Sequence, residues 1–240
     1  MSIVTNFTKP TDDAPSLLTH DELTTLLHEF GHALHGMLAE GRYPSLTGTN
    51  VARDFVELPS QLMENGGFEP EWLHTFARHW QTGEPIPDAL VKRLVAARNY
   101  HAAYFQVRQL RFGLLDLAWH TLRKEIPDQV GDDVLAIEAR ALAGCAVLPD
   151  IPGSCISTSF HHIFDGGYSA GYYSYKWAEV LEADAFSLFR ERGIFDRATA
   201  ASFRENILSK GGSEDEALLY RRFRGHEPDP QALLKKLEII

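Results

Sequence analysis

The predicted fold is decided by one stretch near the start of the chain, Leu26-Leu27-His28-Glu29-Phe30-Gly31-His32-Ala33-Leu34-His35. Its periodicity predicts a helix, and residues four apart lie on the same helix face. His28 and His32 can therefore direct two imidazoles at one point, as a tetrahedral zinc site requires. Glu29 lies about 100° around the helix, where its carboxylate could take a proton from a water at the metal. Alternatively, because the chain has eleven histidines, a chance match would leave an ordinary surface helix.

Signals on both sides of this stretch predict a helical hairpin. Thr19 and Glu22 have the spacing of a capping box, so the first helix should begin there and continue through the metal motif to about Ala39. Residues 52–65 again carry apolar residues at helical spacing, but Pro59 should kink or restart that helix. The two metal-binding helices are thus expected between about residues 19 and 65.

A catalytic zinc site needs a third protein ligand, and carboxylates on the second helix are candidates for it. These are Asp54, Glu57 and Glu64, and their spacing alone does not choose among them. The alternative interpretation is that all three are solvated helix charges, as acidic side chains usually are.

The rest of the chain also has predominantly helical patterns. Helices are predicted at about residues 71–81, 88–124, 133–144, 168–190, 196–209, 213–224 and 230–238. The β-branched and aromatic run from Ile3 to Phe7 predicts a short strand, whereas residues 156–164 are ambiguous between strand and helix. We therefore expect a mainly α fold, formed as a single domain over residues 1–240, with one or two short strands near the N-terminus.

Composition bounds the class of protein. With 44% hydrophobic and 23% charged residues, the chain has the make-up of an ordinary soluble globular protein. Its formal net charge of −10 argues against nucleic acid as a partner, and no apolar run reaches membrane-spanning length. The N-terminus lacks the layout of a signal peptide, and Cys145 and Cys155 form no CxxC motif. A cytoplasmic monomer is the expected form.

Seven segments, in order along the chain, carry a family resemblance: HEFGHALH (28–35), SLTGTN (45–50), DFVELPSQ (54–61), HIF (162–164), GGYSAGYYSYKW (166–177), ILSKGGSE (207–214) and RFRG (222–225). Together they resemble the thimet oligopeptidase family of zinc metallopeptidases, with its oligopeptidase and peptidyl-dipeptidase branches. The resemblance covers nearly the whole chain from Asn6 to Gly225. It implies a zincin-like helical catalytic domain.

The resemblance implies the role of each residue at the metal. His28, His32 and Glu57 would hold one Zn²⁺ per chain, and Glu29 would be the general base that later protonates the leaving amine. A positioned acid or base of this kind typically adds about 10²–10⁴-fold to a rate. Asp54 and Glu64 are equal candidates to orient a ligand histidine through its second ring nitrogen.

The resemblance also implies residues that contact the substrate. His162, Tyr168 and Tyr175 match family positions that hold the peptide and stabilise the oxyanion, within a Gly/Tyr-rich segment at about residues 156–178. A phenol can donate a hydrogen bond to developing negative charge in a water-poor cleft. Tyr172 lies between the two tyrosines and stays undecided between groove and core. His35 is interpreted as a packing residue or a neighbour of the ligands.

Two function classes follow from the resemblance. The first is a zinc peptidase that hydrolyses short peptides, either within the chain or by removal of C-terminal dipeptides. The second is an inert zinc-stabilised fragment, or an interaction domain that needs a missing partner segment for activity. The second class arises because family members are much longer, with a large helical region ahead of the metal motif that this chain lacks.

Overall fold

The structure is a computed structural model that describes residues 1–123, 131–149 and 151–240. These residues are mainly helical, which confirms the predicted fold class. In chain order the α-helices are α1 (His20–Met37), α2 (Leu58–Glu64), α3 (Pro70–Phe76), α4 (Asp88–Asn99), α5 (Ala102–His120), α6 (Gly131–Ala141), α7 (His161–Phe164), α8 (Ser174–Arg192), α9 (Arg197–Phe203), α10 (Glu216–Arg224) and α11 (Pro230–Lys236). None of the described helices is long and apolar enough to cross a membrane.

The described chain forms two compact units. The first unit comprises residues 1–100 and 178–240, and it contains the metal motif. The second comprises residues 101–177, and it contains nearly all of the Gly/Tyr-rich segment. A hydrophobic cluster of the first unit includes Leu58 and Leu219, both fully buried, and a cluster of the second includes Leu115 and Ile163, also fully buried. Each unit therefore has a core of its own.

The helix that carries the metal motif begins where the sequence predicts. The Thr19 hydroxyl accepts from the Glu22 N–H, and the Glu22 carboxylate accepts from the Thr19 N–H at 2.8 Å, so the capping box forms. α1 ends at Met37, close to the predicted end. The next helix differs, because it begins only at Leu58 and the residues before it form turns. Pro59 lies in its first turn, where a missing N–H breaks no helical hydrogen bond.

The strand predicted at Ile3 to Phe7 does not form. These residues have no regular secondary structure, and the β pairing recorded for the described chain is an isolated bridge between Arg78 and Pro85. The prediction is wrong because β-branched composition favours a strand only where a neighbouring strand supplies the hydrogen-bonding ladder. Residues 156–164, ambiguous from the sequence, form a short 3₁₀ turn followed by α7.

Two of the long predicted helices are interrupted by single residues with left-handed backbone. His101 has φ 56°, and it separates α4 from α5 within the pattern predicted over residues 88–124. The predicted end of that pattern, Lys124, lies outside the described residues. Ala170 has φ 55°, and α8 accordingly begins at Ser174 instead of Tyr168. A left-handed residue cannot continue a right-handed helix, so the first predicted helix is divided at His101 and the second begins only after Ala170.

The helices predicted for the C-terminal part of the chain are confirmed. α9, α10 and α11 lie within the predicted ranges 196–209, 213–224 and 230–238. Each begins after an aspartate whose side chain accepts a backbone N–H of the first turn: Asp196, Asp215 and Asp229. Such caps satisfy amide groups that would otherwise lack a partner at the helix start.

α1 and α2 pack closely because Gly31 has no side chain. A Cβ at this position would lie 2.5 Å from the carbonyl oxygen of Pro59 and 2.5 Å from the Cα of Ser60. Both atoms belong to the backbone of α2, so they cannot rotate away as a flexible side chain could. The glycine thus allows the two backbones to approach where a larger residue would separate them.

We expect Gly31→Ala to lower the free energy of unfolding by about 1–3 kcal/mol, because overpacking against backbone forces the helices apart. Gly36→Ala is the matched control, since a Cβ there meets only the flexible end of the Met1 side chain. That control should be neutral or slightly stabilising, as alanine is the better helix former. Urea unfolding of the three proteins measures the difference. Equal stability of the two variants would contradict close packing at Gly31.

Glu138 of α6 is a buried carboxylate in the second unit. It accepts hydrogen bonds from the backbone N–H groups of Ile156 and Ser157 and from the Ser157 hydroxyl. Burial alone would raise the pKa of Glu138, but these hydrogen bonds outweigh it and lower the pKa below its ordinary value of 4.5. The charged form of the Glu138 carboxyl therefore holds the loop that precedes α7 in place.

A carboxylate with a lowered folded-state pKa stabilises the protein above its ordinary pKa of 4.5, and this stability is lost as the pH falls through the folded-state value. We therefore expect wild-type protein to lose stability below about pH 4.5 more steeply than the Glu138→Gln variant. Urea unfolding of both proteins at a series of pH values tests this. A stability difference that is constant across the series would contradict the linkage.

Candidate metal centre

Three side chains of the first unit converge on one point. His28 and His32 lie one turn apart on α1, with ring centroids 4.9 Å apart and ring planes at 85°. Glu57 precedes α2, and its Oε2 lies 3.4 Å from His28 Nε2 and 3.1 Å from His32 Nε2. One ligand atom from each of the three residues lies within 4.8 Å of the others. The structure thus brings together the three residues that the family resemblance implies.

The position of Glu57 is fixed by the start of α2. Glu57 is the residue before the first helical one, and the hydroxyl of Ser60 donates to its carbonyl oxygen at 2.9 Å and to its Oε2 at 2.8 Å. Burial alone would raise the pKa of the Glu57 carboxyl. Hydrogen bonds from His32 and Ser60 and the charges of His32 and His28 outweigh burial and lower this pKa to about 2. The carboxylate is therefore charged at neutral pH.

Of the two carboxylates that could orient a ligand histidine, Glu64 is hydrogen-bonded to His28. Its Oε1 lies 2.7 Å from His28 Nδ1, on the far side of the ring from Glu57. An Nδ1–H donated to this carboxylate leaves Nε2 as the free lone pair. Burial lowers the pKa of His28, but the hydrogen bond and charge of Glu64, with the charges of Glu57 and Glu29, raise it above its ordinary 6.5.

The geometry of this group suits a tetrahedral metal. Two ligand atoms about 2.1 Å from one zinc ion lie about 3.4 Å apart in a tetrahedral arrangement. The observed separations between the histidine Nε2 atoms and Glu57 Oε2, 3.4 and 3.1 Å, are close to that value. Two imidazoles and one carboxylate are also a ligand set found in catalytic zinc sites. The residues present therefore fit a zinc ion.

Two further residues of the motif lie outside this group. Glu29 is half-buried on α1, and its charge contributes to the raised pKa of His28. His35 is fully buried, and neither ring nitrogen has a hydrogen-bond partner among the described residues. Burial and the charge of His32 lower the pKa of His35 to about 4, so the ring is neutral at physiological pH. These features agree with the packing role expected for His35.

The other predicted site residues form a group within the second unit. The rings of Tyr168 and Tyr175 stack at 4.7 Å, and His162 lies 6.3 Å from the first ring and 6.2 Å from the second. This stacking occurs although Tyr168 precedes the helix that contains Tyr175. Tyr172 is buried in the core cluster of this unit, and its hydroxyl donates to Gln109 at 3.1 Å. Its ring also lies 5.8 Å from that of His162 and 5.3 Å from that of Tyr175, so Tyr172 joins the core to this group.

Sequence reasoning missed two side chains that hold these groups in place. Ser60 contacts the Glu57 carboxylate, and the signal for it was its position three residues further along a helical pattern. Asp116 is fully buried on α5 and accepts backbone N–H groups from Ala170 and Tyr172. Its signal was a carboxylate within the apolar run LLDLAW at residues 114–119, because buried aspartates are rare unless they are paired.

Several known peptidases are similar to this chain in sequence. Oligopeptidase A of Escherichia coli is 50% identical over 96% of this chain, and the match spans 34% of that protein. Probable cytosolic oligopeptidase A of Arabidopsis thaliana is 43% identical over 97% of this chain and 34% of its own length. Dipeptidyl carboxypeptidase of Escherichia coli is also 43% identical, over the same two shares.

The chain therefore spans about a third of the length of the curated relatives it matches. Their aligned part covers nearly all of this chain, from the metal motif to the C-terminal helices. The model of peptidase family M3 matches residues 1–239. Since this match extends over nearly the whole length, the chain belongs to peptidase family M3.

Proposed function

We propose that this chain carries the zinc-binding catalytic machinery of a metallopeptidase that hydrolyses short peptides. The observation that carries the proposal is the convergence of His28, His32 and Glu57 on one point, in a chain that belongs to a peptidase family. The separations of these atoms and the chemistry of the three donors support zinc as the ion.

His28, His32 and Glu57 would hold one Zn²⁺ per chain. Zinc, when bound, supplies a Lewis acid that polarises a carbonyl and lowers the pKa of a water. The low pKa of Glu57 keeps its carboxylate charged over the whole physiological range. The hydrogen bond from His28 to Glu64 orients the imidazole and increases its basicity as a ligand. Glu64 thereby acts on the metal site through His28.

Glu29 is proposed as the general base. It would take a proton from the attacking water and pass it to the leaving amine, and its place next to His28 on α1 supports this role. His162, Tyr168 and Tyr175 are proposed to contact the peptide. A tyrosine hydroxyl can donate to the oxyanion that develops when the carbonyl is attacked. Their grouping within the second unit is consistent with a shared task.

Among the two family branches, we favour the oligopeptidase type. The relative named oligopeptidase A of Escherichia coli is 50% identical, against 43% for dipeptidyl carboxypeptidase of the same organism. We propose short peptides as substrates, the cytoplasm as the compartment and a monomer as the form. The name of a cytosolic relative and the acidic composition support the compartment and the absence of nucleic acid as a partner.

A second candidate is a zinc-stabilised domain that is inert alone and needs a further polypeptide segment for activity. The observation in its favour is that the chain corresponds to about a third of its relatives. The two candidates share the zinc site and differ in whether the isolated chain hydrolyses peptides. Assays of zinc content and of hydrolysis therefore have to be read together.

We expect Glu64→Ala to lower the affinity for zinc by about 10–100-fold, because His28 loses the partner that orients its ring. Glu71→Ala is the matched control, since Glu71 is an exposed glutamate on α3 of the same unit. Competition with a chromogenic chelator measures both affinities. Equal affinities of the two variants, or no zinc binding by the wild-type chain, would contradict the proposed site.

We expect Glu29→Gln to retain zinc and to lower peptide hydrolysis by about 10²–10⁴-fold, since the amide cannot accept a proton. Zinc content by mass spectrometry and hydrolysis of a quenched fluorescent peptide measure the two properties. Glu40→Gln is the control, because Glu40 lies beyond the end of α1 and pairs with Arg204.

Hydrolysis unchanged in Glu29→Gln would refute the proposed base. A wild-type chain that binds zinc but does not hydrolyse peptides would instead favour the inert domain. Peptides with blocked and free C-termini, with fragments identified by mass spectrometry, separate the two family branches. The oligopeptidase type should cleave both forms, whereas loss of cleavage on blocking would favour the peptidyl-dipeptidase type.

A further inference from the structure

Asp116 of α5 holds the segment that joins Tyr168 to Tyr175. Its Oδ1 accepts the backbone N–H of Ala170 at 2.9 Å, and its Oδ2 accepts that of Tyr172 at 2.8 Å. The ring nitrogen Nδ1 of His120, one turn further along α5, lies 2.8 Å from Oδ1. The carboxylate has no exposed surface. Both carboxylate oxygens of Asp116 therefore have hydrogen-bond partners within the second unit.

The segment needs such a partner because it is neither helix nor strand. Its own turns satisfy only some of its amides, as in the bond from Gly171 N–H to the Tyr168 carbonyl at 2.8 Å. Ala170 has a left-handed backbone, which a residue with a side chain adopts only under constraint from its surroundings. Asp116 supplies acceptors for two amides on either side of Gly171, and the bond to Tyr172 N–H is buried, where an unpaired amide would be costly.

Tyr168 and Tyr175 lie on either side of Ala170 and Tyr172, the two residues whose N–H groups donate to Asp116. Tyr168 lies two residues before Ala170, Tyr175 lies three residues after Tyr172, and the two rings stack with centroids 4.7 Å apart at 27°. The backbone between Tyr168 and Tyr175 is irregular, so the stacking of the two rings depends on this backbone keeping its conformation. A helix alone cannot produce it, since α8 begins only at Ser174.

We propose that Asp116 is a positioning residue for peptide binding, which fixes the Gly/Tyr-rich segment so that Tyr168 and Tyr175 stay stacked. The expected effect of Asp116 on peptide hydrolysis rests on the proposed function. Its expected effect on the two tyrosine rings does not. A purely structural carboxylate would contribute to stability and leave the ring pair unchanged once the unit is folded. A positioning role and a purely structural role of Asp116 therefore predict different behaviour of the two tyrosine rings when Asp116 is substituted.

Asp116→Asn is the informative variant, because it keeps the shape of the side chain. An amide has one acceptor oxygen, so one of the two backbone bonds is lost and an NH₂ group faces a backbone N–H. Glu138→Gln is the matched control. Glu138 is likewise a buried carboxylate of the second unit that accepts two backbone N–H groups, but they belong to Ile156 and Ser157, which lie before the stretch from Tyr168 to Tyr175.

The first readout is ¹⁹F NMR of the full chain with fluorotyrosine at its eight tyrosines. Tyr168→Phe and Tyr175→Phe assign the two relevant signals. We expect both signals to shift or broaden in Asp116→Asn and to stay in place in Glu138→Gln, while the signal of Tyr220 in the first unit is unchanged in both. Unshifted signals in Asp116→Asn, or equal shifts in the control, would overturn the positioning role.

The second readout is peptide hydrolysis by the zinc-loaded full chain. Asp116→Asn should lower kcat/KM by about 10–100-fold, as displaced substrate-binding groups commonly do. Tyr168→Phe should cost less in the Asp116→Asn background than in the wild type, because the tyrosine is already displaced there. If the two substitutions instead lowered kcat/KM independently, so that their effects multiplied, the link between Asp116 and substrate binding would be refuted.

The two readouts separate the failure of this inference from the failure of the proposed function. Displaced ring signals in Asp116→Asn, together with a wild-type chain that does not hydrolyse peptides, would refute the peptidase proposal and the catalytic part of this inference, while the control of the rings by Asp116 would stand. Undisturbed ring signals together with normal hydrolysis would refute the inference alone.

Discussion

The close packing of α1 on α2 at Gly31 is the constraint on which the candidate metal centre depends. α1 supplies two imidazoles, but a third ligand has to come from another element. The absent side chain at Gly31 allows the backbone of Pro59 and Ser60 to approach, and Glu57 lies two residues before Pro59 on the chain. The separation of two helix backbones thus determines whether a carboxylate reaches both histidines.

The first helix could be predicted from the sequence because all of its signals are local. The capping box and the i, i+4 histidines depend on neighbours along one helix, and the structure reproduces them. The third ligand is different. Asp54, Glu57 and Glu64 were equivalent by spacing, and the choice depends on α2 starting at Leu58 and on the packing at Gly31. Both are tertiary properties, so the family resemblance, and not the spacing, indicated Glu57.

The errors in two of the helix predictions, over residues 88–124 and 168–190, have a common physical cause. His101 and Ala170 have left-handed backbone without being glycine or asparagine, so neither carries a turn signal that the sequence displays. At Ala170 the structure shows what stabilises the irregular path, since a buried carboxylate from α5 accepts the neighbouring amides. Helix propensity describes the conformation that a segment prefers in isolation. Here a buried carboxylate 54 residues away stabilises a different conformation.

Three buried carboxylates of the described chain, Glu57, Asp116 and Glu138, differ in the kind of partner that they have. Asp116 and Glu138 accept backbone N–H groups and fasten loops. Glu57 accepts from Ser60 and faces two imidazoles whose Nε2 atoms point at the same oxygen. Backbone amides are satisfied by a carboxylate and need nothing further, whereas two imidazole Nε2 atoms beside one carboxylate can bind a cation once they have released any proton that they carry. The partners of a buried charge therefore indicate whether it serves folding or metal binding.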